Sequence, residues 1–419
     1  MKRYEKYKDS GIEWIGEIPV HWEVKKIKYI SKLQGGYAFK SDLFCEDGIP
    51  VIRIGDINNP INWDKCKKVP EELEISDDFI LRQFDTLIAL SGATTGKTAF
   101  INTKPEYAYI NQRVAKVGFP NKLLYFNLSS DFVQKLIFLT ADGSAQENIS
   151  NSQIENLAIA IPPTSQEHTA IADYLDRKTA QIDELIAGKK RLLELYEEEK
   201  TAIINQAVTK GINPNVPMKD SGIEWIGEIP AHWRFGRIKY FIAYQKGKNP
   251  RVLKTTKTEN SQIYLTMDYL RNNPKQILFV EEPEKYIQVN DGDILLLWDG
   301  SNAGEFVIAK NGVLSSTMAV LKLKNIKERF SWYYFKYFER KLQESTIGMG
   351  VPHVNSEELK NGIIVIPPPK EQTSIVEYIE KEIARINTKV EKTKKLIELL
   401  EEYKQALISE VVTGKIKVV

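Results

Sequence analysis

The segment Ser91-Gly92-Ala93-Thr94-Thr95-Gly96-Lys97-Thr98 comes nearest to chemistry in this chain, because glycine, lysine and threonine at such spacing cradle phosphates. A phosphate-binding loop needs Gly, four residues, then Gly-Lys-Ser/Thr, so that successive amides wrap the oxygens before a helix begins. Here Ser91 holds the first position, Gly92 stands one residue too close, and Ala99-Phe100-Ile101-Asn102 reads as a strand. The matched stretch further on, Gly300-Ser301-Asn302-Ala303-Gly304-Glu305, carries an acid in place of the lysine. The segment therefore reads as a surface turn, and a nucleotide-driven enzyme is kept only as a third reading. The histidines His21, His168, His232 and His353 show no metal-ligand spacing. Asn58-Asn59-Pro60-Ile61 lacks the second proline and the aromatic of an amino-methyltransferase segment, and no acid-acid-lysine nuclease cluster stands out. No catalytic residue, metal or cofactor is expected in this chain.

At 419 residues the chain has room for two or three domains. Its 58 Lys and Arg are nearly balanced by 56 Asp and Glu, so any basic surface has to be local. Cys45 and Cys66 are too few for a disulfide framework, which fits a reducing cytosol. No signal-peptide pattern opens the sequence and no apolar run approaches the roughly 18 residues that cross a bilayer. A cytoplasmic location with no membrane partner is the expectation.

The sequence is written twice. Lys8 to Trp22 returns as Lys219 to Trp233 with one change, 211 residues later. Phe84 to Gly92 is echoed by Gly292 to Gly300, and Ile161-Pro162-Pro163 by Ile366-Pro367-Pro368, each leading into a long helical pattern. Between these landmarks, as in Lys32 to Asn62 against Ala243 to Asn273, the copies diverge. Short β-rich runs (Ile49 to Ile54, Thr86 to Leu90, Ile294 to Trp298) alternate with turn residues, and helical stretches are predicted near Tyr125 to Leu139 and Glu328 to Leu342. A repeated scaffold with divergent faces is the pattern of a kept fold and a changed recognition surface.

Thr164 and Glu167 are spaced as a capping box at the start of the first long helix, Ser165 to Thr209. Ile171, Leu175, Ile182, Leu185, Leu192, Tyr196 and Ile203 then fall on alternating three- and four-residue steps, a heptad seam. The second helix repeats it with Ile375, Ile379, Ile386, Leu396, Leu400 and Leu407. Only Gly211 to Met218 joins the first helix to the second copy, a reach of about 28 Å at most. A helix of about 65 Å and so short a link favour an antiparallel pair. The fold expected is α+β: two globular modules of mixed α/β structure separated by two long helices in an antiparallel coiled coil, with a pseudo-two-fold repeat. Its boundaries are 1–163, 164–212, 213–368 and 369–419. About 65 Å is close to two turns of B-DNA, so the helices would act as a ruler between two heads.

The opening string YKDSGIEWIGEIPVHWEVKKIKYI, the duplicated module-plus-helix plan and the Ile-Pro-Pro entry to each helix resemble the specificity subunit of type I restriction–modification enzymes. The resemblance spans essentially the whole chain. It implies two target-recognition domains that read an asymmetric, two-part site in double-stranded DNA. It implies a coiled coil that docks two methyltransferase subunits and, through them, restriction subunits. S-adenosylmethionine, ATP and Mg would then belong to those partners. A coiled-coil scaffold or adaptor without DNA reading is the alternative, but it offers no reason for two unlike heads.

Trp14, Trp22, Trp225 and Trp233 would stack on bases in one reading, but near-verbatim duplication favours core, or the seat of each module on its helix. Base and phosphate contacts belong instead to the divergent stretches. The candidates in the first module are Lys40, Arg53, Asn58, Asn59, Thr94, Thr95, Lys97 and Arg113. In the second they are Lys246, Lys248, Asn249, Arg251, Lys254, Lys257, Arg271, Asn272, Asn273, Ser301 and Asn302. The run from Lys246 to Lys257 is the clearest local basic patch.

Overall fold

A computed structural model describes residues 2–141, 148–348 and 350–418. The chain divides into two compact units, Met1–Lys190 with Lys394–Val419, and Arg191–Thr393. Each unit holds one module, half of the central helix (Ser165–Lys210) and half of the distal helix (Pro369–Val412).

Each duplicated opening motif folds as a tight hairpin. Tyr7–Asp9 pairs antiparallel with Glu17–Pro19, and Met218–Asp220 with Glu228–Pro230. The following strand closes the module on itself: Glu23–Lys26 pairs with Ala158–Ile161 and Arg234–Arg237 with Ile363–Ile366. Chain entry and exit thus lie side by side, and the Pro-Pro after each exit strand ends the ladder where the helix begins.

Between those strands the modules share a plan. In the first, an antiparallel sheet runs in the order Leu33–Gly35, Val114–Gly118, Asp85–Ala89, Thr98–Phe100. In the second it runs Ile242–Lys246, Met318–Leu323, Ile294–Leu297, Phe306–Ile308. A smaller sheet beside it carries a parallel contact, Val51 opposite Tyr109 in the first module and Tyr264 opposite Val313 in the second. Leu124, Leu128, Val133 and Ile137 close the first module's core over Ile88 and Val117. Phe330, Tyr334, Phe335 and Phe338 do so in the second over Leu296 and Ala319. The helical stretch predicted near Tyr125 to Leu139 is two helices, Leu123–Ser129 and Asp131–Thr140, separated at Ser130. Glu328–Glu344 is one. Both cysteines are free thiols, and burial pushes Cys66 up to about 11.

The predicted capping box forms only by half. The Glu167 amide donates to Thr164 Oγ1 at 3.3 Å. The carboxylate does not turn back to the cap but accepts from Trp22 Nε1 at 3.0 Å and the Tyr4 hydroxyl at 2.8 Å. Burial first, then the bond to Glu167, pushes the Tyr4 hydroxyl well above the ordinary phenol range. Trp233 Nε1 donates to Glu371 at 2.9 Å, and His232 Nε2 lies 2.7 Å from the same carboxylate. Trp22 and Trp233 are 0% and 1% exposed, so they seat each module on its helix and are closed to base stacking.

Within each unit the helix halves run antiparallel. In the first, Asp183 meets Lys404 and Lys190 meets Glu401; in the second, Tyr196 meets Lys389 and Glu199 meets Arg385. One row of the predicted seam faces inward, with Leu175, Ile182, Ile386 and Leu407 buried. The other row keeps Ile171 and Ile375 buried but is displaced by one residue further along each helix. Leu185 and Leu396 are 54% and 40% exposed, while Ile186 and Ile397 are 7% and 9%. A heptad constrains the mean step to 3.5 residues but not the order of its threes and fours, and adjacent apolar pairs (Leu185-Ile186, Leu396-Ile397) satisfy either order. Ile186→Ala or Ile397→Ala is therefore expected to cost about 2–5 kcal/mol. Leu185→Lys and Leu396→Lys should stay within about 0.5 kcal/mol. Urea midpoints of the four variants check this, and equal losses at 185 and 186 would restore the predicted register.

Candidate nucleic-acid interface

The phosphate-loop-like segment is a turn between two antiparallel strands, Asp85–Ala89 and Thr98–Phe100, with no helix after it. Its counterpart joins Ile294–Leu297 to Phe306–Ile308. The two turns share their backbone bonds. Thr95 N donates to Gly92 O and Ala303 N to Gly300 O, both at 3.0 Å. Gly96 N donates to Ala89 O and Gly304 N to Leu297 O, both at 2.8 Å. Gly96 and Gly304 sit at φ +84° and +96°, where a Cβ would press on Ile137 and Gln343 respectively, so glycine is required at both.

A second duplicated close approach lies beside the main sheets. A Cβ on Gly36 would meet the Asn111 carbonyl at 2.2 Å, and one on Gly247 the Ser315 carbonyl at 2.1 Å. The sequence signal, Gln34-x-Gly36 and Gln245-x-Gly247 at the offset of the opening repeat, was present but unread.

On this scaffold the first module's candidates sort by what already holds them. Lys97 Nζ donates to Asn58 Oδ1 at 2.8 Å, tying the turn to the neighbouring loop. Asn59 is a strut, donating to the Tyr125 hydroxyl at 2.8 Å and accepting from Phe100 N at 3.1 Å. Arg53 pairs with Asp56. Thr95 Oγ1 donates back to Gly92 O, and Thr94 Oγ1 is buried without a partner. Lys40 and Arg113 are exposed and form no ion pair among the described residues. The turn and the Arg113 segment meet where Leu90 N donates to Arg113 O.

In the second module the basic run divides. Lys246 ends a strand rather than lying in a loop, and its ammonium is 3.1 Å from Asp299. The same Asp299 carboxylate lies 2.7 Å from His353 Nδ1. Lys254 pairs with Glu281 at 2.6 Å. Lys248, Arg251 and Lys257 are exposed and without an ion pair among the described residues, so the free charge of the patch is theirs. Asn249 Oδ1 accepts from the Tyr264 and Ser316 hydroxyls, and Asn272 Oδ1 from Lys310. Asn273 is exposed, its amide donating to Asp268 O. Arg271 pairs with Glu305. Asn249, Tyr264, Thr266, Arg271, Ser301 and Asn302 share one open concavity of about 470 Å³. Four candidates from three separate sequence stretches thus rim one hollow of a size to admit base edges or phosphates. Sequence reasoning missed two acids, Asp299 in its wall and Glu305 paired with Arg271, because it searched for cations and amides.

A family model described as the type I restriction modification DNA specificity domain matches residues 19–195 and again 230–401. The chain belongs to that family. Its two matches coincide with the two module-plus-helix copies. The chain is similar to the MjaVIII specificity subunit of Methanocaldococcus jannaschii, 40% identical over 168 residues, 39% of each chain. It is 28% identical to the putative MjaX specificity subunit of the same organism over 96% of each. With the EcoKI specificity subunit of Escherichia coli it shares 21% identity over 96% of this chain and 90% of that one. A chain from a solved structure on complex assembly and conformational transition of a type I system superposes with TM-score 0.73 over 95% of this chain and 99% of its own, at 14% identity. The HsdS subunit from Thermoanaerobacter tengcongensis does so at 0.54, over 95% and 98%, at 15% identity. The likeness to both chains is one of fold, over nearly the whole length of this chain.

Proposed function

We propose that this chain is the non-catalytic DNA-reading subunit of a type I modification–restriction assembly, each module reading one half of an asymmetric, bipartite duplex site. The observation that carries this is the identical turn scaffold in both modules, bearing unlike side chains around its rim. Adenine methylation with S-adenosylmethionine, and ATP- and Mg-dependent restriction, fall to partner subunits.

The helices supply the docking surface. Leu185, Leu396, Leu399 and Tyr403 in the first unit, and Leu195 and Tyr378 in the second, are large apolar side chains exposed on them. Apolar surface concentrated on a helix that already has a partner on its other face marks a protein contact, and two methyltransferase subunits are its proposed occupants. The helices also set the gap between half-sites. Removing one heptad from each shortens them by about 10 Å, or about three base pairs. Adenine methylation mapped genome-wide in cells carrying this chain with its methyltransferase is expected to show a two-part motif, and the heptad-deleted chain a shorter gap. A motif with an unchanged gap removes the ruler, and methylation without any two-part motif removes the DNA-reading role.

A further inference from the structure

The same turn ends in opposite charges in the two modules. Lys97 and Glu305 occupy equivalent positions: each amide closes the turn, onto Thr94 O at 2.9 Å and Asn302 O at 3.1 Å, and each carbonyl accepts from the strand, from Ala89 N at 2.9 Å and Leu297 N at 2.8 Å. The partner across the gap is exchanged with it. Lys97 donates to Asn58 on the loop after Ile49–Ile52, whereas Glu305 accepts from Arg271 on the loop after Gln262–Leu265. Donor and acceptor have traded loops while the backbone beneath stayed the same. With the Arg271 side chain 45% and that of Glu305 20% exposed, the pair is only partly covered and adds little to stability, so folding alone does not account for the exchange.

We propose that Arg271 and Glu305 read a single G·C base pair in the half-site of the second module. The inference rests on the DNA-reading role argued above. In the major groove guanine presents two acceptors, O6 and N7, that an arginine fork meets bidentately, and its cytosine partner presents the N4 amine, which only an acceptor such as a carboxylate can take. A base pair of that orientation offers acceptors and a donor side by side, and the Arg271–Glu305 pair presents the complementary donor and acceptor side by side. Lone carboxylates at a DNA surface are repelled by phosphate; Glu305 is neutralised by Arg271, so the pair discriminates between bases and adds little to overall attraction. Arg271 rims the concavity beside Ser301 and Asn302, whose turn carries Glu305. The first module, with Lys97 and Asn58, presents a different pattern and prefers a different pair at its equivalent position.

The test is selection of bound duplexes from a random pool by the full-length chain, comparing wild type with Glu305→Gln, Arg271→Gln and the double variant Arg271→Asn/Glu305→Lys, which installs the first module's pair. One G·C position of the wild-type consensus, preferred by about ten-fold or more, is expected to relax below about three-fold in either single variant, the other positions holding. The double variant is expected to adopt the preference of the equivalent position in the first half-site. All four proteins are melted in parallel, since both side chains are partly exposed and their replacement should leave the melting temperature in place. Preferences unchanged at every position, relaxation at a pair other than G·C, or a uniform loss across all sequences overturns the assignment while leaving the DNA-reading role intact. A wild-type chain that enriches no consensus overturns both.

Discussion

Replacing Lys248, Arg251 and Lys257 together by alanine is expected to flatten the salt dependence of DNA binding by about 2.7 in the slope of log K against log salt, about 0.9 for each phosphate no longer neutralised. Between 50 and 200 mM salt the wild type should then lose about 40-fold more affinity than the triple variant. The reason for choosing these three is that their charge is uncommitted. Lys246 and Lys254, from the same stretch, are held by Asp299 and Glu281. A cation that must first leave a carboxylate releases less on meeting a phosphate, so Lys254→Ala should change the slope by much less than a third of the triple effect. The weakening should be equal on all sequences, since phosphates carry no sequence information. Filter binding across a salt series decides it, and a triple variant with the wild-type slope removes this loop from the interface.

Trp233→Ala is expected to cost about 3–5 kcal/mol of stability, among the largest single effects available in the second unit. The ring is 1% exposed within the core that joins module to helix. Its N–H ends on Glu371, the third residue of the distal helix, which also holds His232. Glu371→Ala strands the indole N–H and should cost about 1–3 kcal/mol, while Lys370→Ala beside it, exposed, should stay within about 0.5 kcal/mol. Glu167→Ala should behave as Glu371→Ala does, because Trp22 and Tyr4 depend on it in the same way. Urea denaturation followed by tryptophan fluorescence measures all four. A Glu371 variant as stable as the Lys370 variant would make the carboxylate a bystander to the seating.

Much of this architecture was legible as repetition. The copied Lys8 to Trp22 motif, the two Ile-Pro-Pro exits and the matched Phe84 and Gly292 stretches mark the start, end and central turn of each module, and the structure puts each pair in equivalent places. The inward row of the helical seam was legible too, because Leu175, Ile182 and Ile386 have no aliphatic neighbour on either side to take their place. The second row was not, since Leu185-Ile186 and Leu396-Ile397 are apolar at both alternatives and only the packed partner chooses between them.

The candidate site divides along the same line. That the candidate cations and amides belong to the divergent stretches followed from where the two copies differ; that Arg271, Ser301, Asn302 and Asn249 share one hollow did not. Which of them are free to meet DNA did not follow. Asn59 is spent inside the module, Lys246 and Lys254 are neutralised, and Arg271 is bound to an acid more than thirty residues away. By itself, then, the sequence determined the duplicated plan, the long helices and the stretches where the two copies diverge, because those are periodicities and offsets along one chain. Only the tertiary structure decided which seam residues are buried, which charges are already paired and which turn faces which loop. Those depend on contacts between strands far apart in sequence, and a side chain's charge is available to a ligand only after such contacts have claimed their share.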